Sequence, residues 1–320
     1  MNTMASKFSF LLLLAVLSGC NKPTSVSEAA PTTEDLFPDE LTKFRSYEKN
    51  PLFTGTGGNS WDEVIRERGY ILREDDGYHL WYTGHRDGAN ETMALGYATS
   101  PDGIVWTRYP GNPIFSENWV EDMMVLKHDS MYYMFAEGKG DIAHLLTSTD
   151  KLHWKDHGSL QIQRTNGEPL ASGPYGTPTV FIKAGVWYLF YERNDDGIWV
   201  ATSADLKVWK NLQDEAVILK GPETYDKFGV ALNQIIRYGD YYYAYYHGTP
   251  TEDWSVWNTN VAVSKDLVAW TKYPANPITE ENKSSGILVH DGTQYRLYTM
   301  HDKVNLHFPQ RSKQTAGSEE

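Results

Sequence analysis

Four carboxylates, Glu67, Asp122, Glu137 and Glu192, stand among basic, imidazole and amide side chains in short clusters that recur along the chain. One kind of cluster reads Arg66-Glu67-Arg68-Gly69, Glu121-Asp122-Met123, Tyr175-Gly176-Thr177-Pro178, Ala231-Leu232-Asn233 and Ser284-Ser285-Gly286. The other reads His85-Arg86, Glu137-Gly138, Glu192-Arg193-Asn194, His247-Gly248 and His301-Asp302. Carboxyls that share a poorly solvated space raise one another's pKa, so that one stays protonated while another is ionised. Such a pair cleaves glycosidic bonds, with inversion when the groups stand about 6.5–9.5 Å apart and retention at about 5–5.5 Å. For a single acid, a salt bridge to Arg66, Arg68, Arg86 or Arg193 is an equal alternative. It accounts poorly for all four together.

The elements that must position these clusters repeat. Ser-x-Asp-x-x-x-Trp occurs four times, at Ser100/Asp102/Trp106, Ser148/Asp150/Trp154, Ser203/Asp205/Trp209 and Ser264/Asp266/Trp270. Before each motif lies an aromatic strand, Tyr78 to Gly84, Met131 to Gly138, Val186 to Glu192 and Tyr241 to His247; a fifth, Gln294 to His301, has no motif after it. A polar turn and a further strand precede each one (for example Asp75-Asp76-Gly77 after Gly69 to Leu72), which is hairpin patterning. Four antiparallel strands repeated every fifty-odd residues predict an all-β, five-bladed β-propeller, since a β-sandwich does not repeat at that period. The last blade must borrow a strand from the other end of the chain, expected near Asn50 to Thr54. The motif itself reads as structural: its Asp caps a turn and its Trp packs between blades. Propellers bind ligands at the axis, where first strands begin and second strands end, and both kinds of cluster fall there.

The two ends of the chain carry different signals. Lys7, the apolar run Phe8 to Leu17 and Leu17-Ser18-Gly19-Cys20 read as an export signal, over residues 1–19, too short to span a bilayer. Residues 20–42, rich in Ser, Thr, Pro, Ala and Glu, read as a flexible tether, residues 43–309 as the propeller, and residues 310–320 as a disordered tail. Cys20 is the sole cysteine, so no disulfide framework exists. A net charge of −13 without a basic stripe argues against a nucleic-acid partner. The 21 Tyr and 11 Trp suit both β-sheet cores and stacking on sugar rings. No HExxH or paired-Cys pattern offers a zinc site. The carboxylates and carbonyls expected at the axis would suit a structural Ca²⁺, and no other cofactor is expected.

Leu17-Ser18-Gly19-Cys20 resembles a bacterial lipobox, which implies lipidation of Cys20 and an extracytoplasmic, membrane-anchored protein. Trp61-Asp-Glu-Val-Ile-Arg-Glu-Arg-Gly-Tyr-Ile-Leu-Arg, Tyr78-His-Leu-Trp-Tyr-Thr-Gly and Tyr97-Ala-Thr-Ser-Pro-Asp-Gly-Ile-Val-Trp resemble the five-bladed propeller glycosidases, glycoside hydrolase families 43, 32, 62, 117 and 130. The likeness runs from about Tyr47 to Pro309. In those families an Asp on the first strand of blade one is base or nucleophile. Glu67 matches it here, with Asp62 as a competing match. The second family Asp, on blade three, has no counterpart in Tyr175-Gly-Thr-Pro, and the acid Glu of blade four has none in Ala231-Leu-Asn-Gln.

The resemblance and the residues together imply an exo-acting glycoside hydrolase that releases a terminal sugar from a plant or algal oligosaccharide. Glu67 is expected as base or nucleophile, Glu192 as acid, and Asp122 as a group that tunes pKa. Arg66, Arg68, His85, Arg86, Glu121, Glu137, Asn233, His247 and His301 are expected to bind substrate, with Trp61, Trp119 and Tyr175 as stacking platforms. Glu137 or His301 are alternatives for the acid. A glycan-binding lipoprotein without catalysis and a glycoside phosphorylase are the competing readings.

Overall fold

A computed structural model describes residues 32–86, 93–279 and 281–310. The export signal, Cys20 and residues 311–320 lie outside the described residues. Five antiparallel sheets follow one another in chain order. Blade one is Val64–Glu74, Gly77–His85, Ala94–Ser100 and Thr107–Arg108; blade two is Glu121–His128, Met131–Gly138, Ile142–Ser148 and Lys155–Ser159. Blade three, Gly176–Lys183, Val186–Glu192, Gly197–Ser203 and Val208–Asn211, gains two short extra strands, Gln161–Gln163 parallel to its outer edge and Ile218–Leu219 beside its third strand. Blade four is Gly229–Tyr238, Tyr241–Thr249, Asn258–Ser264 and Trp270–Lys272. The protein is a five-bladed β-propeller, as its repeats predict.

Blade five (Ile287–His290, Tyr295–Met300 and Val304–Pro309) is closed by Phe44–Ser46, which pairs antiparallel with Val304–Pro309. The expected closing segment, Asn50 to Thr54, lies along the inner part of the same strand without forming a strand itself: Phe53 bridges to Val304, Leu52 N–H donates to the Val304 carbonyl, and Asn50 bonds both the N–H and the carbonyl of Leu306. The end of the expected tether is also folded. Helices Thr33–Leu36 and Asp39–Thr42 carry Phe37 and Leu41 into the core shared by blades four and five. At the other end Gln310 is pinned by hydrogen bonds to Lys43 and Phe44.

The Ser/Asp/Trp repeats build the outer edge. In each, the Asp accepts a backbone N–H two residues on, for example Leu152 N–H at 3.0 Å on Asp150 and Val268 N–H at 2.8 Å on Asp266. The Trp then packs onto the second strand of the preceding blade: Trp154 against Trp81, Trp209 against Phe135 and Trp270 against Phe190, at 5.9–6.3 Å between ring centroids. Edge-to-face aromatic contacts of this kind add to the area they bury. They lock neighbouring blades at a fixed angle around the axis.

Candidate active site in the axial funnel

The innermost strands of blades one to four break register near the axis. The pairing slips between Arg66 and Tyr70, Glu121 and Met124, Gly176 and Thr179, and Leu232 and Gln234. At these bulges Glu67, Asp122 and Thr177 take left-handed φ values of 41°, 44° and 43°, and Ser285 of blade five takes 55°. A non-glycine residue there is strained by about 1–3 kcal/mol. Bulges re-aim side chains, and here they put Glu67, Asp122 and Thr177 on the cavity wall.

The result is a cavity of about 470 Å³ lined by six carboxyl groups, Glu67, Asp122, Glu137, Asp141, Glu192 and Asp195. Arg66, Thr177, Asn194, His247, His301, Pro174, Trp254 and Trp257 complete its wall. Glu67 and Asp122 hydrogen-bond to each other. Burial, then the Glu67 charge, pushes Asp122 up to about 7. Glu67 is raised first by burial, against the pull of Arg66. Each group therefore makes the other harder to ionise, so that the two titrate as a pair.

Glu137 and Glu192 form a second pair. Thr177 N–H donates to Glu137 Oε2 at 2.7 Å and Gly176 N–H to Glu192 Oε1 at 3.1 Å. A Cβ at Gly176 would lie 2.1 Å from that Glu137 oxygen and 2.9 Å from that Glu192 oxygen, so both carboxyls converge on a point only glycine leaves free. Asp195 N–H holds the other Glu192 oxygen at 2.8 Å. Burial raises Glu192, and burial plus neighbouring Asp122 raises Glu137 well above the carboxylate range. Asp195 is driven to about 8 by burial and then by Glu192.

The imidazoles are neutral. Burial, then Arg68, takes His247 down to about 3. Asn233 Nδ2 donates to its Nδ1 at 2.8 Å, which leaves the ring proton on Nε2. Burial also lowers His301.

Seven of the expected residues, Arg66, Glu67, Asp122, Glu137, Glu192, His247 and His301, line the cavity; the others take supporting places. Arg68 is fully buried below it, where its guanidinium donates to Thr179, to the carbonyls of Leu232 and Asn233 on blade four, to Pro178 on blade three and to the Asp122 carbonyl on blade two. It ties four blades together instead of meeting a ligand. Glu121 holds Arg66 at 3.0 Å and accepts from the Trp119 indole at 2.7 Å. Asn233 acts through His247. Trp61 stacks on Tyr82 within blade one, Tyr175 donates to the Leu160 carbonyl, and His85 bonds the Arg86 carbonyl; none of these, nor Arg86, lines the cavity. Asp62, the competing match for Glu67, is buried among Thr56, Ser60, Tyr82 and Arg108 and is structural.

Sequence reasoning put Thr177 and Asn194 in the axial clusters without giving them a role, and it missed Asp141, Asp195, Trp254 and Trp257. Except for Thr177, all lie in the loops that join second and third strands of blades two, three and four, directly after Gly138, Glu192 and Thr249. That shared place in the repeat was the available signal. Asp and Asn are so ordinary in turns that they hid there. Among the described residues, one Asp/Glu/His group converges tightly enough for a metal, Glu74, Asp76 and His79 at the outer edge. The Lys151 ammonium bonds all three, at 2.8, 3.1 and 3.0 Å.

No protein-family model matches the chain. A 1,2-beta-oligomannan phosphorylase from Thermoanaerobacter sp. (strain X514) is 25% identical over 226 residues, covering 65% of this chain and 72% of that protein. A candidate glycoside hydrolase from Parabacteroides distasonis ATCC 8503 has a similar structure, with a TM-score of 0.71 at 17% identity over 85% of this chain and 97% of that one. A structure from work on the glycoside hydrolase family 130 mannoside phosphorylases, which contain hydrolases that target beta-1,2 mannosidic linkages in Candida mannan, gives 0.64 at 15% identity over 83% and 93%. The propeller is thus of the type found in glycoside hydrolases and phosphorylases.

Proposed function

We propose that this propeller of the glycoside hydrolase and phosphorylase type is an exo-acting glycoside hydrolase that removes a terminal sugar in its axial funnel. The observation that carries the reading is the convergence of two carboxyl pairs, Glu67 with Asp122 and Glu137 with Glu192, in one buried cavity. Glu67 serves as base or nucleophile, with Asp122 taking up the proton that Glu67 must not hold. Glu192, oriented through both oxygens by backbone N–H groups, delivers a proton to the departing oxygen. A group poised in this way contributes about 10²–10⁴-fold. His247, with Nε2 protonated, donates to a sugar hydroxyl.

Hydrolysis is favoured over phosphorolysis by charge. Among the described residues Arg66 is the sole guanidinium lining the cavity, and Glu121 and Glu67 already engage it at 3.0 and 3.4 Å. Arg193 is spent on the carbonyls of Pro174, Ala171 and Ser172. Carboxyl groups, not further cations, fill much of the remaining wall, and those that are ionised oppose a phosphate dianion. The phosphorylase reading is kept by the relative named for 1,2-beta-oligomannan, and β-1,2-linked mannosides are the first substrates to offer. Incubation with β-1,2-mannotriose, with and without phosphate, decides between the two: free mannose independent of phosphate supports hydrolysis, and mannose 1-phosphate overturns it. Glu67→Gln is expected to cut sugar release about 10²–10⁴-fold with an unchanged melting temperature; retained activity sinks the assignment. Cys20 is proposed as the lipid anchor at an extracytoplasmic membrane face, which palmitate labelling of the wild type and not of Cys20→Ala would support.

A further inference from the structure

Of the eleven tryptophans, ten are buried or half-buried and one, Trp254, is exposed, at 48%. It stands in the loop after the second strand of blade four, on the wall of the funnel. A large exposed aromatic beside six carboxyl groups does nothing for the core. Its backbone is nonetheless held in place: φ is 57°, left-handed for a bulky residue, and Trp254 N–H bonds the Thr251 carbonyl at 3.2 Å. Thr251 Oγ1 also accepts Val256 N–H at 3.3 Å, and Trp257 N–H is anchored on Asn282 of the neighbouring blade-five segment at 2.9 Å. The Trp254 indole N–H finds no hydrogen-bond partner among the described residues. A strained, pinned loop thus carries a half-exposed aromatic ring whose ring contact is with Trp257 and not with the core.

The rings lead from floor to mouth. Trp257 meets buried His247 edge-on at 5.0 Å, and Trp254 meets Trp257 at 6.2 Å. The carboxyl pairs surround the deep end. Trp254 shares the cavity wall with those carboxyls and is its exposed aromatic, so a sugar ring beyond a terminal one has an indole to meet, and the C–H face of a pyranose matches an indole face in shape and polarity.

We propose that Trp254, backed by Trp257, forms a second sugar subsite that receives the hexopyranose on the leaving-group side of the scissile bond. The orientation relative to that bond rests on the glycosidase reading above; the stacking itself does not. The full chain is titrated calorimetrically with β-1,2-mannotriose and with mannose, for the wild type, Trp254→Ala and Trp254→Phe. The ratio of trisaccharide to monosaccharide affinity is expected to fall about tenfold in Trp254→Ala and to recover largely in Trp254→Phe. An unchanged ratio overturns the proposal, as does a wild type that binds neither probe. Turnover read in parallel separates the two ideas. Trp254-dependent binding of the trisaccharide without cleavage retains the subsite and removes the hydrolase. With cleavage, β-mannosyl fluoride, which has no leaving-group ring, must lose less kcat/KM in Trp254→Ala than the trisaccharide does; equal losses overturn the placement.

Discussion

The inner funnel and the outer edge of this propeller use the same side chains to opposite ends. At the edge, Asp102, Asp205 and Asp266 accept backbone N–H groups in open turns, and the bonds hold their pKa values low. Glu74, buried in part but ringed by Lys127, Lys151 and Tyr132, sits at about 2. In and beside the funnel, desolvation dominates and the neighbours are also acids, so Asp122 on its wall and Glu121 behind it rise to about 7 and Asp195 to about 8. A carboxylate stabilises where donors outnumber acids, and becomes a reagent where acids outnumber donors. The fold concentrates its cost at the axis and its stability at the rim.

Three changes would break or sharpen that contrast. Arg68→Met strips a fully buried guanidinium from the carbonyls of three other blades and removes the charge that opposes Asp122. It is expected to cost about 3–5 kcal/mol, read by urea denaturation; a small effect would show that the axis is not held from below. Asp266→Ala opens one outer turn, with Val268 and Ala269 N–H groups losing an acceptor at 2.8 Å. The expected loss is about 1 kcal/mol with glycosidase activity kept. The mildest change is in pH. The funnel acids have folded-state pKa values above their unfolded ones, so the stability they favour is complete below about pH 4 and declines as pH rises through 7 to 8. The rim acids act in reverse, and lose their contribution as pH falls toward 2. The melting temperature should therefore drop between about pH 5 and about pH 9, and Asp195→Asn should flatten the drop. A rising curve would mean that the funnel carboxyls are not desolvated.

Repetition is why so much was readable beforehand. Four Ser/Asp/Trp motifs and five aromatic strands announce the blades, and the ends of those strands announce Glu67, Asp122, Glu137, Glu192, His247 and His301. What repetition cannot announce is how a bulge divides adjacent side chains. Glu67 lines the cavity while Arg68 lies buried beneath it, and Asp122 lines it while Glu121 turns aside to Arg66. Periodicity of two assigns neighbours to opposite faces, but an inserted residue resets the count. Asp141, Asp195, Trp254 and Trp257 were hidden because the loops between second and third strands keep their place in each blade while their lengths and sequences differ. The closing strand, Phe44–Ser46, is three residues long and carries no period at all.

That short strand has a consequence for how the protein is made. The ring is sealed by Phe44–Ser46, which precedes blade one, lying against Val304–Pro309, which follows blades one to four. Blades one to four can assemble in order as they emerge, yet the circle stays open until Val304–Pro309 has been made. Until then the outer edge of blade five is unpaired, an adhesive margin in a nascent protein. The aromatic residues Phe37 and Phe44, waiting near the N-terminus, are the seal for which the growing chain must keep a place.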